Sequence, residues 1–134
     1  MRALFRKAVT GLLTLRLLDA RRAAHVAAYG LRKFLLRQKP PGTAVFALTF
    51  KCFCKCGCCA SGIFSDHFKD AMLPLEDAER LIRKVADAGT PRLHLTGGDP
   101  LAHKDLAAIA RLASERGLVT FVETSAVTMT PART

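Results

Sequence analysis

Apolar residues recur at helical spacing in two sets near the start of the chain, Leu4, Ala8, Leu12, Leu15 and Leu18, then Leu31, Phe34 and Leu35. No proline interrupts residues 4–36, so the pattern predicts one or two amphipathic helices, with Gly30 as a weak point. Lys39-Pro40-Pro41-Gly42 breaks the periodicity and reads as a linker. Over residues 43–49 the pattern changes to TAVFALT, β-rich and nearly continuously apolar. That composition predicts a strand buried on both faces, as in a parallel sheet.

Beyond a loop over residues 60–73, the apolar residues Ala78, Leu81, Ile82 and Val85 fall at i, i+3, i+4 and i+7, and Gly89 supplies a C-terminal stop. Glu76, Asp77 and Glu79 crowd the first turn of this helix, where its dipole favours negative charge. Residues 92–96 read as a second strand, followed by the turn Gly97-Gly98-Asp99-Pro100. A helix with inner face Leu106, Ile109, Ala110 and Ala113 comes next, closed by Gly117, and residues 119–124 form a third strand. The predicted class is α/β, ordered β-α-β-α-β behind an N-terminal helical arm. Alternation at these spacings implies a parallel sheet with right-handed crossovers.

Charge is unevenly spread. The net charge is +10, yet residues 1–39 hold ten Lys or Arg against the single acid Asp19, which leaves eleven basic and ten acidic residues in the remainder. The excess therefore belongs to the arm and points to a local anionic contact there. Arg6, Lys7, Arg16 and Asp19 interrupt the best candidate for a spanning helix, which needs about 18 to 20 apolar residues. The short apolar run over residues 8–15 leads into Arg16, Arg21 and Arg22 and not into a small-residue cleavage site, so a secretory signal fits poorly. A cytoplasmic protein is expected.

All five cysteines, Cys52, Cys54, Cys56, Cys58 and Cys59, fall within eight positions directly after the first strand. Disulfide scaffolds spread their cysteines to staple distant segments, whereas thiols this dense on one loop read as a metal or cluster site. Cys52, Cys56 and Cys59 follow Cys-x3-Cys-x2-Cys. Three thiolates on a four-iron cluster leave one iron open for a substrate or cofactor. Tetrahedral zinc is the plainer alternative, although its usual pattern is two separated pairs.

On these residues the chain resembles the radical S-adenosylmethionine superfamily: LTFKCFCKCGCC on the exit of the first strand is similar to the family's cluster loop. Likewise, TGGDPLAHKDL over residues 96–106 is similar to its Gly-Gly-Glu-Pro motif, with Asp99 in place of the more common Glu. The resemblance implies a partial β/α barrel in which Cys52, Cys56 and Cys59 hold a [4Fe–4S] cluster. Gly97, Gly98 and Asp99 would meet the amino group of S-adenosylmethionine, the glycines because only glycine permits so close a backbone approach. VETS, residues 122–125, falls where relatives have a third strand facing the cofactor, which makes Glu123 and Thr124 candidates for the same pocket. Cys58 stands where relatives carry an aromatic residue or histidine against the adenine, Phe53 where many have Asn, and Ser125-Ala126 where Asn-Gly is frequent.

The implied activity is reductive cleavage of S-adenosylmethionine to methionine and a 5′-deoxyadenosyl radical, which abstracts hydrogen from a substrate the sequence does not identify. The electron would come from a reductant such as ferredoxin or flavodoxin. The domain reading is an arm over residues 1–39, a linker over 40–42 and the N-terminal half of a radical S-adenosylmethionine core over 43–134. That core is expected to be truncated, because the chain runs only ten residues past its third strand. A non-catalytic metal-binding remnant or interaction module is the competing class. Cys54 and Cys58 read as loop filler, His94 as a structural or substrate-facing histidine, and His25, His67 and His103 carry no assigned role. The arm reads as a helix packing on the rest of the protein or as a membrane-surface contact. With only Phe5, Tyr29 and Phe34 for stacking, no nucleic acid is expected.

Overall fold

A computed structural model describes residues 19–54, 56–59, 68 and 70–129. The first predicted helical set, Leu4 to Leu18, lies outside the described residues, as does most of the loop over residues 60–69. The first described element is helix α1, Ala20–Phe34, N-capped by Asp19, whose carboxylate accepts the Arg22 N–H at 2.9 Å. Gly30 does not interrupt it. The proline linker follows, and then come strand β1 (Ala44–Thr49), helix α2 (Leu75–Asp87), strand β2 (Arg92–Gly97), a 3-10 turn (Pro100–Ala102), helix α3 (Leu106–Glu115) and strand β3 (Val119–Val122).

The three strands form one parallel sheet in the order β1-β2-β3. Parallel pairing of consecutive strands requires a crossover, which α2 and α3 supply. Leu48, Ala78, Ile82, Leu93, Leu95, Ile109, Ala113 and Leu118 form the core between the sheet and these helices, all fully or almost fully buried. Burying each Leu or Ile stabilises the fold by about 2 kcal/mol. The helical spacing through Ile82 and Ile109 thus meets the alternation through Leu93 and Leu95 on one side of the sheet.

The other side is open, which corrects the expectation that β1 is buried on both faces. Its burial alternates, and Val45 is 63% exposed. Pairing sets Val45 beside His94 and His94 beside Phe121, so these three side chains form a row across the sheet. A continuous apolar run cannot by itself reveal which face is covered, because that depends on elements that pack from outside the run.

Candidate functional site

The C-terminal ends of β1 and β2 are stitched together by backbone. Gly97 has φ +134°, and a Cβ there would overlap the Thr49 carbonyl oxygen. One on Gly98 would lie 2.5 Å from the Phe50 carbonyl oxygen and overlap that of Lys51. Glycine at both positions lets the turn run against the exit of β1. The Gly98 N–H donates to the Thr49 carbonyl at 2.6 Å and the Asp99 N–H to the Lys51 carbonyl at 2.8 Å. Thr49 also accepts the Lys51 N–H on its hydroxyl at 3.1 Å, which fixes the bend that begins the cysteine loop. Cys52 is the next residue.

Asp99 is buried at the centre of the turn. Its Oδ1 accepts the Leu101 N–H at 3.0 Å, capping the 3-10 turn, and the Thr124 hydroxyl at 2.7 Å, while Oδ2 accepts the Ser125 hydroxyl at 2.5 Å. Burial alone would raise its pKa. The hydroxyls of Ser125 and Thr124 and the N–H groups of Leu101 and Ser125 outweigh burial and hold the carboxyl below its ordinary value. Sequence reasoning placed Asp99 and Thr124 toward the cofactor; here their side chains hold each other and join the turn to the residues after β3. Ser125, seen in the sequence only as a departure from the family pattern, is part of this latch. The available signal was chemical: a short carboxylate in a tight turn needs hydroxyl or N–H donors.

Glu123 is oriented differently. Its N–H continues the ladder to the Leu95 carbonyl at 2.9 Å, and its Oε1 meets His94 Nδ1 on the open face of the sheet, where His94 stacks on Phe121 with centroids 4.8 Å apart. His103 is structural. Nδ1 accepts the Asp105 N–H at 3.1 Å, which leaves Nε2 to donate to the Leu73 carbonyl at 2.8 Å.

The cysteine loop is organised far less. All five cysteines are present as thiols, with Cys56 and Cys58 exposed and Cys52, Cys54 and Cys59 partly covered. The Cys54 N–H points at Cys52 Sγ at 3.4 Å, and the Cys59 N–H donates to the Cys56 carbonyl at 3.2 Å. Desolvation, followed by the charges of Cys54, Cys59, Cys52 and Cys58, pushes the Cys56 thiol up from its ordinary value. A bound cationic centre reverses that balance. Among the described residues, no three His, Cys, Asp or Glu side chains converge as a ligand set. In kind, the donors fit an iron–sulfur cluster, being soft thiols in excess of three on one short loop. At Gly97 and Gly98 the space that a Cβ would take is filled by the backbone of Thr49, Phe50 and Lys51, so the glycines seat the turn on the exit of β1 beside the cysteine loop.

A parallel β/α sheet with a thiol-rich loop leaving β1, held against a glycine turn leaving β2, defines a cluster-and-cofactor protein of the β/α class. Residues 46–133 match the family model described as the radical SAM superfamily, SAM being S-adenosylmethionine, and the chain belongs to that family. Members of the family use a [4Fe–4S] cluster and S-adenosylmethionine. The chain is 36% identical over 99 residues to the PqqA peptide cyclase of Rhizobium meliloti (strain 1021), a match covering 74% of this chain and 26% of that protein. It is also similar to the AdoMet-dependent heme synthase of Methanosarcina barkeri (strain Fusaro / DSM 804), 32% identical over 91 residues, covering 68% of this chain and 26% of the other. A third relative is the GTP 3',8-cyclase of Marinobacter nauticus (strain ATCC 700491 / DSM 11845 / VT8), 30% identical over 79 residues, covering 59% and 24% respectively. The matches thus span about a quarter of the length of these curated relatives.

Proposed function

We propose that this chain carries the cofactor-activating part of a radical SAM enzyme, with Cys52, Cys56 and Cys59 as the cluster ligands. The observation that carries this reading is the pair of backbone bonds from Gly98 and Asp99 to Thr49 and Lys51, at 2.6 and 2.8 Å. They place the glycine turn beside the first cysteine, where one small molecule can touch both.

In this reading the three thiolates bind iron, while Cys54 and Cys58 stand aside. Backbone carbonyls around Gly97 and Gly98 accept hydrogen bonds from the amino group of S-adenosylmethionine. Asp99 and Thr124 support that contact by holding the turn's shape, and Glu123 pairs with His94 on the open face of the sheet. A cluster held by Cys52, Cys56 and Cys59 would supply, when reduced, the electron for reductive cleavage of S-adenosylmethionine and so for hydrogen abstraction from substrate. A ferredoxin or flavodoxin is the fitting class of donor, and a compartment that keeps five clustered thiols reduced, the cytoplasm, is the fitting location. The relatives carry different substrates in their names, a peptide and GTP among them, yet each match covers more than half of this chain. We therefore assign this segment the shared radical-generating step and leave substrate choice to other parts of the enzyme.

The test is anaerobic reconstitution with iron and sulfide, followed by electron paramagnetic resonance of the reduced protein with and without S-adenosylmethionine. A [4Fe–4S] signal that shifts on adding S-adenosylmethionine and vanishes in Cys56→Ala is expected. Bound zinc, or a cluster signal indifferent to S-adenosylmethionine, overturns the assignment.

A further inference from the structure

The cations along α1 divide into two sets. Arg21 donates to the Glu115 carbonyl at 2.6 Å, Arg22 to the Ser114 hydroxyl, and the Arg32 guanidinium lies over Gly89, while His25 Nε2 bonds the Thr90 carbonyl at 2.9 Å. These contacts fix the helix to the turns that lead into β2 and β3, at the end of the sheet opposite the cysteine loop. No residue of α1 is buried, so it remains a surface element standing on its side chains.

The second set surrounds an apolar tip. Leu31, Phe34, Leu35 and Leu36 are 54, 79, 75 and 58% exposed. The chain reverses here through Arg37 at φ 51°, with the Leu36 N–H on the Leu31 carbonyl at 3.2 Å and the Gln38 N–H on the Arg32 carbonyl at 3.0 Å. A residue with a Cβ rarely takes that conformation, so the capping bonds, not the preference of Arg37, fix the shape of the tip. Lys33, Arg37 and Lys39 flank it, Lys33 lying 5.5 and 5.9 Å from the ring centroids of Tyr29 and Phe34. No Asp or Glu stands between Asp19 and Asp66.

We propose that residues 31–36, with Lys33, Arg37 and Lys39, form a peripheral docking surface for an anionic lipid bilayer. Phe34 and the leucines enter the headgroup boundary while the three cations meet lipid phosphates, their aliphatic stems lying along the apolar tip. Contiguous exposed apolar side chains mark a contact site, and a segment that carries cations and no acid suits an anionic plane. A second copy fits poorly, because a symmetric contact through this patch would bring like charges together. Docked this way, the protein turns its cysteine loop away from the bilayer. The inference concerns the arm alone and stands whether or not the loop carries a cluster.

The full chain is sedimented with vesicles of phosphatidylcholine alone and of phosphatidylcholine with phosphatidylglycerol, at low and high salt. Pelleting with the anionic vesicles only, weakened by salt, is expected. Phe34→Asp with Leu35→Asp should abolish it. Replacing Lys33, Arg37 and Lys39 by Gln should lower partitioning on the order of a hundredfold, with circular dichroism unchanged in both variants. Undiminished binding in these variants would locate any membrane contact elsewhere and overturn the proposal. Equal binding to neutral vesicles, or a dimer that Phe34→Asp dissociates, would overturn it as well.

Discussion

The glycine turn and the cysteine loop lie side by side, yet the fold treats them in opposite ways. In the turn every polar group of Asp99 is committed, to Leu101, Thr124 and Ser125, and the backbone is bonded to the exit of β1. In the loop the thiols are in place along the chain, but no three ligands converge among the described residues. Hydrogen bonds can preorganise a surface for an organic cofactor. Ionising several neighbouring thiols is costly without a counter-charge, because the repulsion between thiolates adds to the cost of each. Among the described residues, hydrogen bonds thus fix the side chains of the turn and not those of the cysteine loop.

That contrast is sharpest under substitution of a single ligand. Cys56→Ala should eliminate iron retention after anaerobic reconstitution, measured as iron per chain, while the thermal midpoint of the apoprotein stays within error of wild type. A fall in apoprotein stability would mean that the loop is preorganised after all. Gly98→Ala should act on the other half. The new methyl meets the Lys51 and Phe50 carbonyls, so a destabilisation of about 3 kcal/mol is expected in urea unfolding. Unchanged stability would mean that the turn does not sit as tightly on the exit of β1 as these contacts require.

Asp99→Asn comes next, weakening two hydroxyl bonds and an N-terminal cap for an expected loss of about 2 kcal/mol. Its pH dependence has a defined sign. Because the folded pKa of Asp99 is depressed, its contribution is present above the unfolded carboxylate pKa and is lost as pH falls through the lower, folded value. Wild type should therefore lose stability relative to Asp99→Asn on the acid side of the ordinary carboxylate range, and acid titrations of the two proteins that run parallel would remove the charge from the latch. Smallest of all should be Cys54→Ser and Cys58→Ser, each leaving iron content and spectrum as in wild type. A drop in iron with either would replace the three-thiol assignment by a different set.

Element type was legible in the sequence wherever one period persisted. The spacing of Ala78, Ile82 and Val85 anticipates α2, and that of Leu106, Ile109 and Ala113 anticipates α3, because both helices bury one stripe against one sheet face. The apolar run of β1 was less informative: it shows that the strand suits burial, and only the packed structure reveals Val45 in the open. At the site, residue types and spacing pointed to thiol chemistry and a backbone cradle. They could not disclose where Asp99 and Glu123 aim, since Asp99 chooses partners 25 and 26 residues away and Glu123 chooses His94 across a strand pairing. Long-range hydrogen bonds leave no periodic trace.

The Asp99 latch also imposes an order on synthesis. The turn after β2 leaves the ribosome before the hydroxyls that complete it, so its carboxylate is solvated and its shape provisional until Thr124 and Ser125 emerge and β3 settles beside β2. Arrival of the third strand thus acts as a checkpoint for the turn. A nascent chain that has made the cysteines and the glycines, but not yet Thr124 and Ser125, lacks the two hydroxyls that complete the turn.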